Sequence, residues 1–562
     1  MFAREERPAR PLAVAADSPA TSAREKLAAV LSRFVRARLT RPTAWQLVAW
    51  LFATLSSLAL FRMALDAGIT LDEEVHVRYG EEILAWFSSD FTDERALHCS
   101  QRVYAGFFDL LGAALNASKI LPFDTYSVVH LLSALFGLCA IWATWKMAAL
   151  IGGAPAGFLA ASFLVFTPSF VGHAIFNPKD IPFATGATLT LYAAVCIGIE
   201  PRPLSWKNAL RAGLCLGIGL ATRSGGLFLL VYPLAAAVAS SVVALWWGPP
   251  LIAARDVVRA ASLTVLKLCV GFALAWTVMI AAWPWAQQQP FSRPFEAARE
   301  AANFQWRNKL LFDGERIFSY DLPRSYLPTW FGITLPELYL IALLCAGVCG
   351  YLLWRKRALD ARKVLCIGLI VTSIALPLLG VLVARPIIYD AHRHFLFFFP
   401  ALAALAGIAT ARVLTDTSLA KLLRGSLATA LIALAGLCAF DMHALHPYQY
   451  LYFNRIFGGL PAAQGRFETD YWGAANREAF IWVFENYRSK KTTRIGACYM
   501  SGVFDMLAPH WPESARFKRA KREKHAQVFI ATTRDDCHVG QRGHVIHTVK
   551  RNGVPLAYVF QR

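Results

Sequence analysis

Charged residues are scarce in this chain: they make up 17% of its 562 residues, whereas 56% are hydrophobic. Such a composition excludes a soluble protein of this size and indicates a polytopic membrane protein. The eleven cysteines include no Cys-x-x-Cys pair and no Cys/His ligand spacing, which argues against a zinc site. Most of them lie inside apolar runs, where cysteine behaves as a small hydrophobic residue.

A nucleic-acid-binding motif is also absent, although the formal net charge is +20. The basic residues lie mainly between apolar runs or near the C-terminus. Orientation in the membrane and contact with anionic lipids therefore explain them better than a nucleic-acid partner does.

The first long apolar run, residues 45–65, lacks a following cleavage site of the Ala-x-Ala type. Because the run has full spanning length, we predict a signal anchor that is not removed. Residues 1–43 are rich in Ala, Pro, Arg and Ser and then basic, which predicts a disordered cytoplasmic start followed by a short amphipathic helix.

Further apolar runs predict a transmembrane domain over residues 44–441. The length of roughly 20 residues that a helix needs to cross the bilayer selects about eleven of them. The candidate spans are 45–65, 127–150, 155–172, 181–199, 209–222, 225–247, 262–283, 335–354, 364–384, 394–412 and 424–441.

The charges between these runs predict their orientation. With a cytoplasmic N-terminus, four loops fall on the cytoplasmic side and each carries more Lys and Arg than Asp and Glu, as the positive-inside rule requires: 200–211, 248–260, 355–363 and 412–424. The long loop 67–126 then lies outside, with ten acidic and four basic residues. The same alternation places further segments on the outer side: 173–180, 221–226, 284–334, 385–393 and everything after about residue 442.

The last part of the chain, residues 442–562, predicts a small extracytoplasmic α/β domain. Cys498 and Cys537 would lie there in an oxidising compartment, so a disulfide and two unpaired thiols both remain open. A helix is predicted over 478–487 and strands over 493–500, 527–533, 545–550 and 556–561, the last two joined by a turn at Arg551-Asn552-Gly553.

Three consecutive carboxylates, Asp72, Glu73 and Glu74, follow the first apolar run. At the edge of the hydrocarbon, desolvation and mutual repulsion raise the pKa of at least one such group, which suits a general base. The alternative is an acidic loop in contact with water.

Isolated charged residues are predicted on the same outer side. Asp180 either caps a predicted helix or forms a site with Lys179 beside it. Arg223 stands alone between two apolar runs and either meets an anion or extends to the interface. Arg393 and His394 precede an apolar helix, which favours an anion site over a topological anchor.

Aromatic and polar residues alternate where the C-terminal domain begins. Such mixtures are typical of a membrane-interface belt, but aromatic rings also stack on sugar faces, so the segment could line an acceptor groove. The candidates for that groove are Tyr448, Tyr452, Asn454, Asp470 and Trp472.

Taken in order, these motifs resemble the GT-C superfamily of polytopic glycosyltransferases. Within it they are most similar to the family 39 type, which includes protein O-mannosyltransferases and the lipid A aminoarabinose transferase. The resemblance lies in Asp72-Glu73 after the first helix, Asp180 ahead of the fourth, and Arg393-His394 before a late helix. The segments 446–454 and 470–473 are similar to the tail of phospholipid-carrier-dependent glycosyltransferases.

The resemblance implies a GT-C fold and an inverting transfer of sugar from a polyprenyl-phosphate donor to a glycan, glycolipid or protein acceptor. It also implies a bacterial inner-membrane protein whose active site and C-terminal domain are periplasmic. Asp72 would deprotonate the acceptor hydroxyl, oriented by Glu73 or Asp180. The donor phosphate would be held by Lys179, Arg223, Arg393 and His394.

One departure concerns the first outer loop, where residues 101–106 replace the Asn/His-Pro-Pro-Leu type element of family 39. The acceptor class therefore stays open. No cofactor follows from the motifs beyond the lipid-phosphate sugar, although Asp72, Glu73 and Asp180 could hold a divalent cation.

Two other functions compete with the enzyme. A transporter or flippase of lipid-linked sugars would place ionisable groups near the bilayer midplane in paired halves, whereas here the charges gather on one side. A non-catalytic assembly subunit would bind through its C-terminal domain and would not need the acidic cluster.

Overall fold

The computed structural model describes residues 44–200, 204–247, 254–356, 360–498 and 502–562. The chain divides into two compact units, Met1–Leu55 and Ser56–Arg562. In the first unit, the described residues belong to the beginning of a helix. The disordered and amphipathic segments predicted over residues 1–43 lie outside the described part of the chain.

Helices account for most of the described residues up to 445, which confirms the polytopic α-helical fold. Among the described residues, nine helices are long and apolar enough to cross a membrane. In chain order the helices are α1 (Ala44–Asp66), α2 (Leu71–Ser88), α3 (Phe107–Ser118), α4 (Thr125–Val165), α5 (Pro168–Ala174), α6 (Asp180–Ile199), α7 (Trp206–Leu220), α8 (Val231–Trp247), α9 (Ala254–Ala281), α10 (Arg293–Ala302), α11 (Tyr326–Thr334), α12 (Leu338–Lys356), α13 (Ala361–Ala384), α14 (Phe398–Thr415) and α15 (Lys421–Leu445).

The predicted number of spans, about eleven, differs from nine for two reasons. Helix α4 has 41 residues and covers the predicted span 127–150 and most of the predicted span 155–172, divided at Gly153, whose φ of 80° interrupts the helical geometry. Glycine tolerates this φ, and Pro155 lacks the N–H that would continue the hydrogen-bond ladder. Helix α7 has 15 residues, which is shorter than a bilayer crossing normally requires.

Small residues let several long helices pack backbone against backbone. A Cβ atom added at Gly407 of α14 would collide with the backbone of Ala160 in α4. Gly186 of α6 lies equally close to Gly219 of α7. Such contacts are how helices associate in lipid, where the hydrophobic effect between them is weak. They fix the helix ends from which the site residues project.

Shorter elements fill the connections. Helices α2 and α3 lie between α1 and α4, so the predicted outer loop 67–126 is helical over much of its length. Helices α10 and α11 and an antiparallel hairpin lie between α9 and α12. The hairpin consists of β1 (Lys309–Phe312) and β2 (Glu315–Phe318). Single helical turns occur at Arg95–His98, Pro284–Gln287 and Gly459–Ala463.

The C-terminal domain is a five-stranded sheet with helix α16 (Ala475–Asn486) and the short α17 (Gly502–Leu507), which confirms the predicted α/β domain. Its strand order is β4–β3–β5–β7–β6. Strand β3 pairs in parallel with β4 and β5, and β7 pairs antiparallel with β5 and β6. The strands are β3 (Thr493–Ala497), β4 (Phe517–Arg519), β5 (Val528–Thr532), β6 (His544–Arg551) and β7 (Val554–Gln561).

The predicted helix, the four predicted strands and the hairpin turn are all present in this domain. Asn552 and Gly553 both have positive φ, 48° and 80°, as a two-residue hairpin turn requires. Strand β4 was not predicted, because its three residues lie in a basic run without alternation. Cys498 and Cys537 form a disulfide that ties the end of β3 to the loop after β5.

Candidate active site

Four segments that are distant in sequence meet at one end of the helices. They are the start of α2, the turn between α5 and α6, the turn after α7, and the segment before α14. Ion pairs join Lys179 and Arg393 to Asp72, and Arg223 and Arg393 to Asp180. We call these five side chains the ion-pair cluster.

Asp72 lies in the first turn of α2, which Thr70 and Glu73 cap reciprocally. Its side chain is 31% exposed, whereas that of Asp180 is 2% exposed. The Oδ2 atom of Asp72 lies 3.8 Å from Nζ of Lys179 and 3.6 Å from Nη1 of Arg393. This oxygen has no hydrogen-bond partner among the described residues. A substrate hydroxyl can supply the bond that the oxygen lacks.

The cations of the cluster control the ionisation of Asp72. Burial alone would raise the pKa of this carboxyl, but the charges of Lys179 and Arg393 outweigh it and hold the pKa below its ordinary value. For Lys179, burial lowers the pKa, while Tyr104 and Asp72 raise it above its ordinary value. Both groups are therefore charged at neutral pH.

Asp180 begins helix α6 and is held on all sides. It accepts hydrogen bonds from Nδ2 of Asn177 at 3.1 Å, from Nη1 of Arg223 at 2.7 Å and from Nη1 of Arg393 at 3.4 Å. Asn177 also accepts from the backbone N–H of Lys179, which sets the preceding turn. With both oxygens occupied, Asp180 is suited to fixing the two guanidinium groups rather than to accepting a proton.

Arg393 is the centre of the cluster and is 3% exposed. Besides Asp72 and Asp180, it pairs through Nη2 with Oδ2 of Asp390 at 3.1 Å. Its guanidinium lies over the rings of Tyr389 and Trp472 at 4.8 and 4.5 Å. Its Nε–H has no partner among the described residues. Burial lowers the pKa of Arg393, but the three carboxylates raise it by more, so the group keeps its charge.

Glu73 faces a different set of partners. One oxygen accepts from the N–H and the hydroxyl of Thr70 at 2.7 and 2.8 Å, and the other bonds to Nε2 of His130. Nδ1 of His130 in turn lies 3.2 Å from the carbonyl oxygen of Ala64. Among the described residues, no hydrogen bond joins the side chains of Glu73 and Asp72. An orienting effect of Glu73 on Asp72 would therefore act through the backbone of α2, which these bonds anchor to α1 and α4.

A buried His–Asp pair that the sequence analysis missed lies one turn further along α2. Nδ1 of His76 is 3.0 Å from Oδ1 of Asp109. Residues four apart share a helix face, so His76 lies beside Asp72. The ring of Tyr104 contacts that of His76 at 5.8 Å and Nζ of Lys179 at 4.9 Å. The four-residue spacing of Asp72 and His76 was the available signal.

His394, the other predicted phosphate ligand, is partly buried, and its ring meets that of Tyr389 edge-on at 4.7 Å. Burial and the charges of Arg393 and Arg223 lower the pKa of His394 well below its ordinary value. The imidazole is therefore neutral and can offer a hydrogen bond to a phosphate but no charge.

The residues predicted for an acceptor groove do not form one surface. Tyr448 and Asn454 are buried, and both are bonded within the fold: the Tyr448 hydroxyl donates to Glu478 at 2.9 Å, and Nδ2 of Asn454 donates to the Gly332 carbonyl at 2.7 Å. Tyr452 borders a separate open cavity of about 400 Å³.

Of the other two groove residues, Asp470 is buried and accepts from the Tyr450 hydroxyl and from the backbone N–H of Ala474, and it also lines a cavity of about 200 Å³. Only Trp472 touches the ion-pair cluster among the described contacts, through Arg393. An alternation of aromatic and polar residues did not distinguish buried partners from groove-lining ones.

The three carboxylates named for a divalent cation do not converge. Glu73 is bonded to Thr70 and His130, while Asp72 and Asp180 share Arg393 between them. Within the described part of the chain, no group of three or more His, Cys, Asp or Glu side chains could hold a metal ion. The three side chains thus do not meet as one ligand set, and a requirement for a divalent cation stays a prediction.

The middle of the chain is similar to a known protein family. Residues 117–267 match the model of the dolichyl-phosphate-mannose-protein mannosyltransferase family. The matched range contains three members of the ion-pair cluster, Lys179, Asp180 and Arg223. No curated protein matches the chain in a sequence comparison.

Solved structures similar to the chain include ArnT from Cupriavidus metallidurans in the apo state, with 14% identity and a TM-score of 0.48 over 92% of this chain and 98% of ArnT. ArnT bound to undecaprenyl phosphate has 15% identity and a TM-score of 0.45 over 92% of this chain and 98% of ArnT. The archaeal oligosaccharyltransferase AglB from Archaeoglobus fulgidus has 12% identity and a TM-score of 0.46 over 87% of this chain and 69% of AglB. Over residues 117–267, the family match confirms the resemblance to protein mannosyltransferases that the motifs predicted.

Proposed function

We propose that this chain is an integral membrane glycosyltransferase that moves a sugar from a polyprenyl-phosphate donor to an acceptor hydroxyl, with Asp72 as general base. The observation that carries the proposal is the Oδ2 atom of Asp72. It is charged, lacks a hydrogen bond, and lies 3.8 and 3.6 Å from two cations.

A donor phosphate fits the charge of the cluster. The cluster has three cations, Lys179, Arg223 and Arg393, but only two carboxylates, Asp72 and Asp180. A third carboxylate, Asp390, pairs with Arg393 and also with Arg534. The excess positive charge favours an anion, and the free Nε–H of Arg393 offers it a hydrogen bond.

The proposed reaction conserves atoms and charge with these residues alone. The acceptor O–H proton passes to Asp72 while the acceptor oxygen forms a bond to the anomeric carbon. The bond between that carbon and the phosphate oxygen breaks, and its electron pair stays with the lipid phosphate. Lys179, Arg223 and Arg393 stabilise the charge that develops on the leaving phosphate. A base and a leaving group on opposite faces of the sugar give inversion at the anomeric carbon.

Donor binding would also activate the base. The cations that hold the pKa of Asp72 down are the ones that would bind the phosphate. A phosphate that shares Lys179 and Arg393 weakens their pull on Asp72 and raises its basicity. Asp72 therefore becomes a stronger base once the donor is in place.

We further propose that the site and the C-terminal domain face the periplasm of a bacterial inner membrane. The excess of Lys and Arg in the alternate loops supports this orientation, and so does the disulfide of Cys498 and Cys537, which persists in oxidising compartments. A glycan, a glycolipid and a protein all remain acceptors that this site could serve.

The test compares Asp72→Asn with Glu74→Gln, an exposed carboxylate two residues further on. Mass analysis of membrane lipids and surface glycans with and without the gene identifies the product first. We expect Asp72→Asn to abolish that product, because an amide cannot accept the proton, and Glu74→Gln to leave it unchanged. Equal thermal unfolding of the two purified variants shows that the loss is not a folding defect.

Product formation by Asp72→Asn at the wild-type rate would remove Asp72 as the base. If the wild type moved a lipid-linked sugar across the membrane of a vesicle and formed no glycosylated product, the transporter would be favoured instead.

A further inference from the structure

A cavity of about 200 Å³ lies beside the ion-pair cluster, outside the reaction centre described above. Three parts of the chain line it: the β1–β2 hairpin, residues 464–471, and the C-terminal domain from Thr533 to Tyr558. Sites for drug-sized ligands span roughly 300–1,000 Å³, so this smaller cavity suits a group the size of one sugar ring.

The lining combines flat rings with groups that bond to hydroxyls. The rings of Tyr558 and His538 stack at 5.1 Å with an angle of 9° between their planes. Glu468 and Asp536 offer carboxylates, and Thr469 offers a hydroxyl. A sugar ring presents apolar C–H faces and a rim of hydroxyls, and so matches both kinds of lining better than a lipid chain does.

Glu468 suits a hydroxyl ligand in its ionisation as well. Burial raises the pKa of Glu468 to about 8, with the charge of Asp390 adding to the effect and that of Arg534 opposing it. Near neutral pH the carboxyl is therefore mainly protonated and can both donate and accept a hydrogen bond.

One arginine connects this cavity to the donor side. Arg534 lines the cavity, and its Nη2 lies 3.4 Å from Oδ1 of Asp390. The other oxygen of Asp390 pairs with Arg393 at 3.1 Å. Tyr471 also lines the cavity, and its hydroxyl lies 3.1 Å from Nε2 of His173, next to the turn that holds Asp180. The cavity is thus linked to the proposed phosphate site through Asp390, which pairs with Arg534 on one side and with Arg393 on the other.

The backbone at this junction is strained on both sides. Asp390 and Ala391 have φ of 55° and 63°, and Asp535 and Asp536 have φ of 51° and 54°. Side chains with a Cβ rarely adopt these values, and such strain is concentrated at ligand sites and switch regions. The two strained turns are the ones that Arg534 and Asp390 join.

We propose that this cavity binds a sugar ring of the acceptor, so that the enzyme glycosylates a glycan or glycolipid whose neighbouring unit reaches Asp72. This inference rests on the proposed glycosyltransferase function and deepens it. The C-terminal domain then selects the acceptor, while the helices bind the donor.

The experiment measures binding without donor and without turnover. The full chain in detergent is titrated with methyl glycosides of glucose, mannose, galactose and glucosamine, and saturation-transfer NMR reports the bound ring. We expect saturable binding of at least one glycoside. Tyr558→Ala should weaken it roughly three- to tenfold through the lost ring contact. Glu468→Leu, which cannot form a hydrogen bond, should also weaken it.

The matched control is Tyr320→Ala, an exposed tyrosine of the outer segment that does not line the cavity. It should bind like the wild type, and equal unfolding temperatures exclude misfolding. Absence of binding by every glycoside, unchanged binding by Tyr558→Ala and Glu468→Leu, or binding of a seryl peptide in place of the glycosides would each overturn the proposal. Product formation by the wild type is measured separately, so loss of the cavity proposal leaves the glycosyltransferase proposal standing.

Discussion

A single guanidinium, that of Arg393, connects more of the site than any other described side chain. It pairs with Asp72, Asp180 and Asp390 and lies between two aromatic rings. A planar fork of donors can serve several carboxylates at once, whereas an ammonium group acts as a point charge.

Replacing Arg393 tests whether the guanidinium fork itself is needed. Arg393→Lys keeps the charge but cannot hold the three carboxylates together, so we expect transfer to fall by about 10²–10³ with a raised KM for the donor. Steady-state kinetics with the purified chain measure both. Arg455→Lys, an exposed arginine paired with Asp441, is the control and should keep its activity. Wild-type kinetics for Arg393→Lys would show that charge alone suffices.

Glu468 gives a prediction about pH. In the unfolded chain its pKa is about 4.3, whereas burial raises the pKa of the folded form to about 8. The folded state thus holds the proton more tightly, so the stability it contributes is complete below the unfolded value and is lost as the pH rises toward 8. We expect the Tm of the full chain to fall between about pH 5 and pH 8.

Glu468→Gln should flatten that fall, because glutamine carries no titrating proton. Thermal unfolding at a series of pH values measures this fall of the Tm, and the control is Glu485→Gln, at an exposed position. Parallel curves for the wild type and Glu468→Gln would contradict the raised pKa.

Helix α2 carries Asp72, and the position of this helix depends on one glycine. A Cβ atom at Gly80 would collide with the backbone carbonyl of Asp109 in α3, and that carbonyl cannot move aside as a flexible side chain could. This close approach is also what brings Asp109 to His76, one turn from Asp72.

Gly80→Ala should therefore separate α2 from α3, lower the Tm and reduce transfer. Gly112→Ala is the matched control, since a Cβ there would meet only side-chain atoms of Val129 and Leu132, at 3.4 and 4.0 Å. It should be neutral or stabilise the helix by up to about 1 kcal/mol. Thermal unfolding and limited proteolysis of the loop 67–126 measure both variants, and equal behaviour of the two would contradict the tight packing.

The C-terminal domain reaches back to the helices and contributes to the site. Arg534 pairs with Asp390, and Arg551 donates to the carbonyl oxygen of His446 at 2.7 Å. The loop that carries Arg534 is tied to the sheet by the disulfide between Cys498 and Cys537.

Replacing Cys498 and Cys537 with Ser should destabilise this domain by about 2–4 kcal/mol, because the cross-link restricts the unfolded chain. Transfer should fall with it, since Arg534 loses its support. Urea unfolding followed by a probe in the domain measures the first effect, and the exposed Cys139→Ser is the control. An unchanged midpoint would show that the disulfide contributes nothing to stability.

The sequence by itself determined the class of the molecule and the members of its ion-pair cluster. Long apolar runs can only be buried in lipid or in a large core, and charges such as Arg223 beside them require a partner, so composition and position identified Asp72, Lys179, Asp180, Arg223 and Arg393. Local patterns also predicted the helix and the hairpin of the C-terminal domain, because turn chemistry and alternation act over a few residues.

Only the tertiary structure decided which carboxylate is free and which is occupied. Asp72 and Glu73 are neighbours in the sequence, yet successive side chains on a helix point about 100° apart, so one meets cations and the other meets Thr70 and His130. Burial likewise separated Tyr448 and Asn454 from the site, and the link from Arg534 to Arg393 joins segments more than a hundred residues apart. Such long-range contacts depend on how the helices pack, which no local pattern records.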